Sequence, residues 1–147
     1  LVARIVYDKI KDLSRNPERE IVLLVGHGSD QPGFGEQWRR GMEGVASTLK
    51  QLGSFAEVDT ALLLPDEVRD KLDRWKQRKP EHAILVSPLF ISEGYFTRTV
   101  IPARLQGYEY RYNGRAMLPH PLVSRWMESR LLPVLREQGH SFSMEIG

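Results

Sequence analysis

The sequence predicts a layered α/β fold around a four-stranded parallel sheet, on three observations. Short, uninterrupted apolar runs at residues 21–25 and 83–86 read as strands buried on both faces. Between the strands lie stretches of ten or more residues with helical apolar spacing, which imply parallel pairing through right-handed crossovers. Glycine and proline punctuate the junctions, as expected where strands and helices exchange.

The elements follow in order. Leu1, Ile5, Ile10 and Leu13 recur at helical spacing, which predicts a helix within residues 1–15 that stops at Asn16-Pro17, where proline disfavours helix in the residue before it. The first strand, 21–25, runs straight into Gly26-His27-Gly28-Ser29. After a turn around Gly33 and Gly35, Trp38, Met42, Val45, Leu49 and Leu52 share one face of a second helix that Gly53 closes. Residues 55–64 mix apolar and β-branched types as a strand. Pro65-Asp66 then opens a helix carrying Val68, Leu72 and Trp75, and Lys79-Pro80 ends it. Strand 83–86 leads into a loop over 88–96, a helix over 97–105, a fourth strand over 115–118 and a closing helix over 122–135 that Pro133 kinks or ends. Residues 139–147 read as a short extra strand or a loose tail, with no chemistry assigned.

A chain of 147 residues fits one domain, 1–147, with a substantial core. It begins at Leu1 with no methionine, so a fragment is one expectation. The net charge of +2 is spread along the chain with no basic block longer than Arg39-Arg40, which argues against nucleic acid as a partner. The absence of cysteine excludes disulfides, thiolate metal sites and a cysteine nucleophile, and fits a cytoplasmic protein. No apolar stretch reaches membrane-spanning length and the N-terminal segment lacks the pattern of a secretion signal, so no membrane partner is expected.

In a parallel sheet all carboxyl ends share one edge, so side chains just beyond the first, third and fourth strands converge there. Those positions hold His27, Glu93 and His120, a set suited to cobalt, nickel, zinc or ferrous iron. The glycines around His27 allow close approach of backbone or ligand, and the histidine is expected at the open mouth of a site. His120, between Pro119 and Pro121, reads equally as a backbone-satisfied residue. Glu93 alone reads first as a solvated loop residue. His82, at the opposite edge, and His140, in the tail, carry no metal chemistry. No His-x-x-x-His or Glu-x-x-His pair exists, so the metal argument rests on convergence in the fold. Ser29 lacks the Gly-x-Ser-x-Gly elbow of a nucleophile, and the Gly26–Gln31 segment matches no phosphate-binding glycine loop. A small metal-dependent hydrolase remains a third option, weakened by the lack of an acidic metal cluster.

Residues 23–29, Leu-Leu-Val-Gly-His-Gly-Ser, followed by Val-Ser-Pro-Leu-Phe-Ile-Ser-Glu-Gly-Tyr at 86–95 and Ile101-Pro102, resemble the class II chelatases of the CbiX type, the sirohydrochlorin cobalt and iron chelatases. The resemblance runs from about Glu20 to Trp126. It implies a flavodoxin-like three-layer sandwich in which a tetrapyrrole lies in a cleft and a histidine, here His27, both receives the metal and helps take pyrrole protons. It also implies a substrate surface at Gly28, Ser29, Pro88, Phe90, Ser92, Tyr95, Phe96 and Arg98. Arg104, Arg111 and Arg115 lie nearby, at least half of these arginines being ordinary solvated surface. Co²⁺ is the expected metal substrate, with Fe²⁺ or Ni²⁺ as alternatives and no organic cofactor. The leading helix and the Leu-Pro-His-Pro segment look like the second half of longer, duplicated members, which implies a homodimer or pairing with a second chelatase domain. One departure matters: the family usually carries Gly-x-His in the loop, whereas this chain has Gly94-Tyr95-Phe96. Phenylalanine cannot ligate a metal, so Glu93 or His120 substitutes, or the domain has lost catalysis and binds a tetrapyrrole or partner domain only.

Overall fold

The computed structural model describes residues 1–122. The closing helix expected after Leu122, with Pro133, the tail 139–147 and His140, lies outside the described residues. Three parallel strands form the sheet in the order β2-β1-β3. The chain runs α1 (Val2–Ile10), β1 (Glu20–Gly28), α2 (Phe34–Gly53), β2 (Glu57–Leu64), α3 (Val68–Arg78), β3 (Ala83–Pro88), a π-helical turn (Phe96–Val100) and α4 (Ile101–Leu105). Two 3-10 turns, Lys11–Leu13 and Pro17–Arg19, lead from α1 to the first strand.

β1 is central and buried along its whole length, which is why its apolar run has no polar alternation. Its side chains alternate between layers. Val22 and Leu24 pack with Ala3, Val6 and Ile10 of α1 and Met42, Ala46 and Leu49 of α2. Leu23 and Val25 pack on the other face with Val68 and Leu72 of α3 and Ile101 and Leu105 of α4. The predicted inner face of α3 is the observed one, Val68, Leu72 and Trp75. Leu52, expected on the inner face of α2, is exposed.

β2 is an edge strand among the described residues, and unpaired edge groups invite association with other chains. Here Glu67 covers those of Leu62: its N–H donates to the Leu62 carbonyl at 2.9 Å and its carboxylate accepts the Leu62 N–H at 3.0 Å. Arg39 of α2 closes the same carboxylate with two hydrogen bonds of 3.3 and 2.9 Å. Asp59 fastens α3 to β2 by accepting from Trp75 Nε1 at 2.8 Å and Lys71 Nζ at 3.1 Å.

The fourth strand expected over 115–118 is not formed. Its place beside β3 is taken by Arg111, which makes one parallel bridge to Leu85 through hydrogen bonds of 2.9 Å with Ile84 and Val86. Gly114, at φ +72°, then turns the chain away. The N–H groups of Met117 and Leu118 donate instead to the Phe90 and Ile91 carbonyls, beyond the end of β3. Pro88, with no N–H, closes β3 before a longer ladder can grow.

Candidate active site

His27 is the penultimate residue of β1. Strand alternation continues Leu23 and Val25 to His27, so its ring lies on the α3/α4 side of the sheet. It is only 7% exposed, against the open position expected. The cover is Phe96, whose ring meets the imidazole edge-on at a centroid distance of 4.9 Å. Phe96 in turn stacks on the buried Phe90 at 5.7 Å and touches Tyr95 at 5.6 Å.

The flanking glycines also serve a different purpose from the ligand approach expected of them. A Cβ on Gly26 would stand 2.7 Å from Met42 Sδ, and one on Gly28 would stand 2.2 Å from the Leu64 carbonyl oxygen. They let α2 and β2 close on the strand end. Gly28 also has φ +81°, which a side chain resists. The Met42 tip can turn aside, but the Leu64 backbone cannot. Gly28→Ala is therefore expected to destabilise the fold by about 2–3 kcal/mol, measured by urea unfolding, with Gly26→Ala well below it. Equal losses in the two variants would contradict this account.

The His27 Nδ1 lies 2.8 Å from the Gly28 carbonyl. A carbonyl only accepts, so this bond places the proton on Nδ1 and the lone pair on Nε2. The tautomer is the one needed for Nε2 to ligate a metal or take a proton. No described side chain holds Nε2 in a hydrogen bond.

The loop carrying Phe96 is held locally. Thr97 Oγ1 accepts the Gly94 N–H at 2.9 Å and donates to the Gly94 carbonyl at 3.1 Å, and Tyr112 donates its hydroxyl to the Thr97 carbonyl at 2.6 Å. Burial, with Glu93 and Tyr110 adding negative charge, pushes the Tyr112 phenol well above its ordinary pKa, so it stays a donor. Pro102, near the start of α4, lacks the N–H that would continue regular helical bonding, and the turn before it is π-helical.

His27, Glu93 and His120 do not converge: no group of three His, Asp or Glu side chains able to hold a metal occurs among the described residues. Glu93 is exposed, and its charge acts on Tyr112. His120 sits against α1, its Nε2 2.9 Å from Asp8 Oδ2 and its Nδ1 accepting the Leu122 N–H at 3.1 Å. That is the other layer from the one His27 faces. The missing fourth strand explains it, since His120 no longer follows a strand end. The bond to His120 leads the causes that hold the Asp8 carboxyl below its usual range, with Arg4 and Lys11 adding to it.

The remaining expected residues divide in two. Pro88 and Phe90 are buried, Ser92 is half-buried, and Tyr95 and Arg98 are exposed beside the covered histidine. Ser29 Oγ accepts the Gln31 N–H at 3.1 Å and so stabilises the turn. Arg104, Arg111 and Arg115 form ion pairs with Asp66, Glu20 and Asp12, which leaves Arg98 as the one of the four with no ion pair among the described residues. Sequence reasoning passed over Glu20, a 2% exposed carboxylate at the head of an apolar strand. A charge leading a buried run is itself the signal, because such a group persists only with partners.

The parallel α/β sandwich carries an imidazole at the carboxyl end of its central strand, beside a loop built on Pro-Leu-Phe, the arrangement that the resemblance to the chelatases implies. The CbiX family profile matches residues 21–133, more than half of the chain, and the chain belongs to this family of class II chelatases. Over 97 residues it is 35% identical to a protein named "Probable sirohydrochlorin cobaltochelatase" from Halobacterium salinarum, covering 59% of this chain and 28% of that protein. SirB from Bacillus subtilis with Fe³⁺ shares the fold with a TM-score of 0.66 at 20% identity, over 96% of this chain and 56% of SirB. A multi-domain protein from Deinococcus radiodurans, described as structurally similar to chelatases, matches with a TM-score of 0.58 at 20% identity, over 87% of this chain and 28% of that protein. The chain thus spans only part of the length of each. No helix among the described residues is long and apolar enough to cross a membrane.

Proposed function

We propose that this chain is a metal-inserting chelatase domain acting on a sirohydrochlorin-like tetrapyrrole, with Co²⁺ as the metal and Fe²⁺ or Ni²⁺ as alternatives. The observation that carries the reading is His27, whose Nδ1 is committed to the Gly28 carbonyl so that Nε2 presents its lone pair. Insertion exchanges one divalent ion for two pyrrole protons. A neutral imidazole can hold the ion by Nε2 until the macrocycle takes it, and then accept one released proton at the same atom. The second proton passes to water. One protein ligand suits a metal that must be handed on. Exposed Tyr95 offers a ring face to the macrocycle and Arg98 a charge to its carboxylates, while Phe96 must swing off the imidazole for the metal to enter. Co²⁺ or Fe²⁺ insertion into sirohydrochlorin, followed anaerobically by the change in tetrapyrrole absorbance, tests the reading. No insertion by the chain would overturn it.

A second reading is favoured by Phe96 itself. Two imidazoles on one ion, each with a bond of about 2.0–2.1 Å, have ring centres roughly 5 Å apart. Phe96 stands 4.9 Å from His27, a separation that a second imidazole on a shared ion would also have, and it presents an apolar ring there. On this reading the domain binds a tetrapyrrole or pairs with a second chelatase domain without inserting metal. Phe96→His separates the two. Groups that only orient a ligand shift metal affinity by about 10–100-fold, so an added imidazole is expected to tighten Co²⁺ binding by at least tenfold. If titration shows no change, Phe96 does not stand at a ligand position. Brisk insertion by the unaltered chain would remove the non-catalytic reading.

A further inference from the structure

A cleft of about 460 Å³ opens at the amino-terminal end of β3, the opposite edge from His27. Its volume falls within the range of small-molecule sites. Leu72 of α3 and Ile84 of β3 supply an apolar floor, and Tyr110, 39% exposed, supplies an aromatic wall. Lys76, Lys79 and His82 also line it, bringing two ammonium-bearing side chains and an imidazole to the cleft. None of these four polar side chains has a hydrogen bond or ion pair within the described residues. Arg111 and Tyr108 also line the cleft, but their polar ends are spent on Glu20 and Asp73.

The charge balance favours an anion. Glu109 is the one acidic side chain lining the cleft, against Lys76 and Lys79. The carboxyl end of α3 points partial negative charge the same way. One of its last carbonyls, Trp75, is already satisfied there by the Lys79 N–H at 2.8 Å, and the carbonyl of Lys79, which follows the helix, by the His82 N–H at 3.1 Å. Ammonium groups on flexible stems act as point charges, a recurrent way of binding phosphate. An aromatic wall above an apolar floor suits a flat ring.

We propose that this cleft binds a small aromatic phosphate of nucleoside monophosphate size, its phosphate between Lys76 and Lys79 and its ring against Tyr110. Binding here is independent of metal and tetrapyrrole at the opposite edge. The test titrates the protein with AMP, adenosine and inorganic phosphate, each followed by calorimetry and by amide NMR shifts. AMP is expected to bind more tightly than either fragment, with shifts at residues 76–84 and 107–111. Lys76→Ala/Lys79→Ala is expected to weaken AMP at least tenfold and leave adenosine unchanged, whereas Tyr110→Ala weakens both. His27→Ala is expected to change none of these affinities. Lys76, Lys79 and Tyr110 lie at or near the surface, and thermal melts of all the variants, buried His27→Ala included, establish that each remains folded. AMP affinity unaltered in the double lysine variant, AMP shifts at the His27 edge, or binding of a glutamate-rich peptide in preference to AMP would each overturn the proposal.

Discussion

Glu20→Ala is expected to destabilise the fold by about 3–5 kcal/mol, the range for removing one partner of a buried charge pair. Glu20 is 2% exposed and accepts hydrogen bonds from Ser14 Oγ, from the N–H groups of Arg15 at 2.7 Å and Asn16 at 3.1 Å, and from Arg111 at 2.9 Å. The same guanidinium donates to the Leu13 carbonyl. One carboxylate thus ties the α1–β1 connection and the segment beside β3 to the start of the central strand. Alanine strands the Arg111 charge and leaves two backbone N–H groups without their acceptor. Burial acts to raise the Glu20 pKa, but the bonds from Arg15, Ser14, Asn16 and Arg111 outweigh it and hold the group below its ordinary value. A folded pKa below the unfolded one contributes stability that is fully present above the unfolded value, about 4.3, and is lost as pH falls through the folded value. Asp8, lowered chiefly by its bond to His120, adds to the acid loss with the same sign. Urea unfolding at pH 7 and between pH 3 and 5 measures both effects. Glu20→Gln should show a smaller loss at pH 7 and a flatter acid limb. A Glu20→Ala loss under about 1 kcal/mol would mean that the clamp contributes no more than an exposed pair.

The second large effect is on chemistry. His27→Ala is expected to lower metal insertion by about 10²–10⁴-fold, the usual contribution of a positioned acid–base group, and by more if Nε2 is also the metal's only protein ligand. A strand-end histidine read from sequence alone contributes little core area, yet this ring is buried against Phe96, so alanine also leaves a gap. His27→Gln fills more of that space and separates the two consequences. Both variants should lose insertion, and the glutamine variant should melt closer to the parent. If His27→Gln retains insertion, the metal is received elsewhere.

The helices and strands up to Leu105 were legible because each carries its own periodicity. The unbroken apolar run at 21–25 requires burial on both faces, and the helical spacing of Val68, Leu72 and Trp75 requires one packed face, whatever surrounds them. The fourth strand was not legible. Residues 115–118 have strand-like composition, but pairing with β3 is a competition, and Arg111, drawn in by Glu20 and followed by the turn at Gly114, occupies the edge first. The convergence of His27, Glu93 and His120 failed with it, because that argument assumed that His120 follows a strand end.

The sequence by itself determined the α/β class, the parallel pairing of the strands, the placing of His27 at the carboxyl end of the first strand and the membership of the CbiX family, since all of these rest on local pattern and local motif. Only the tertiary structure decided that Phe96 covers His27, that Gly28 makes room for the Leu64 carbonyl, and that His120 belongs to α1. Each of these joins residues distant in the chain, and which groups meet there follows from packing and hydrogen-bond satisfaction across elements, which no single segment encodes.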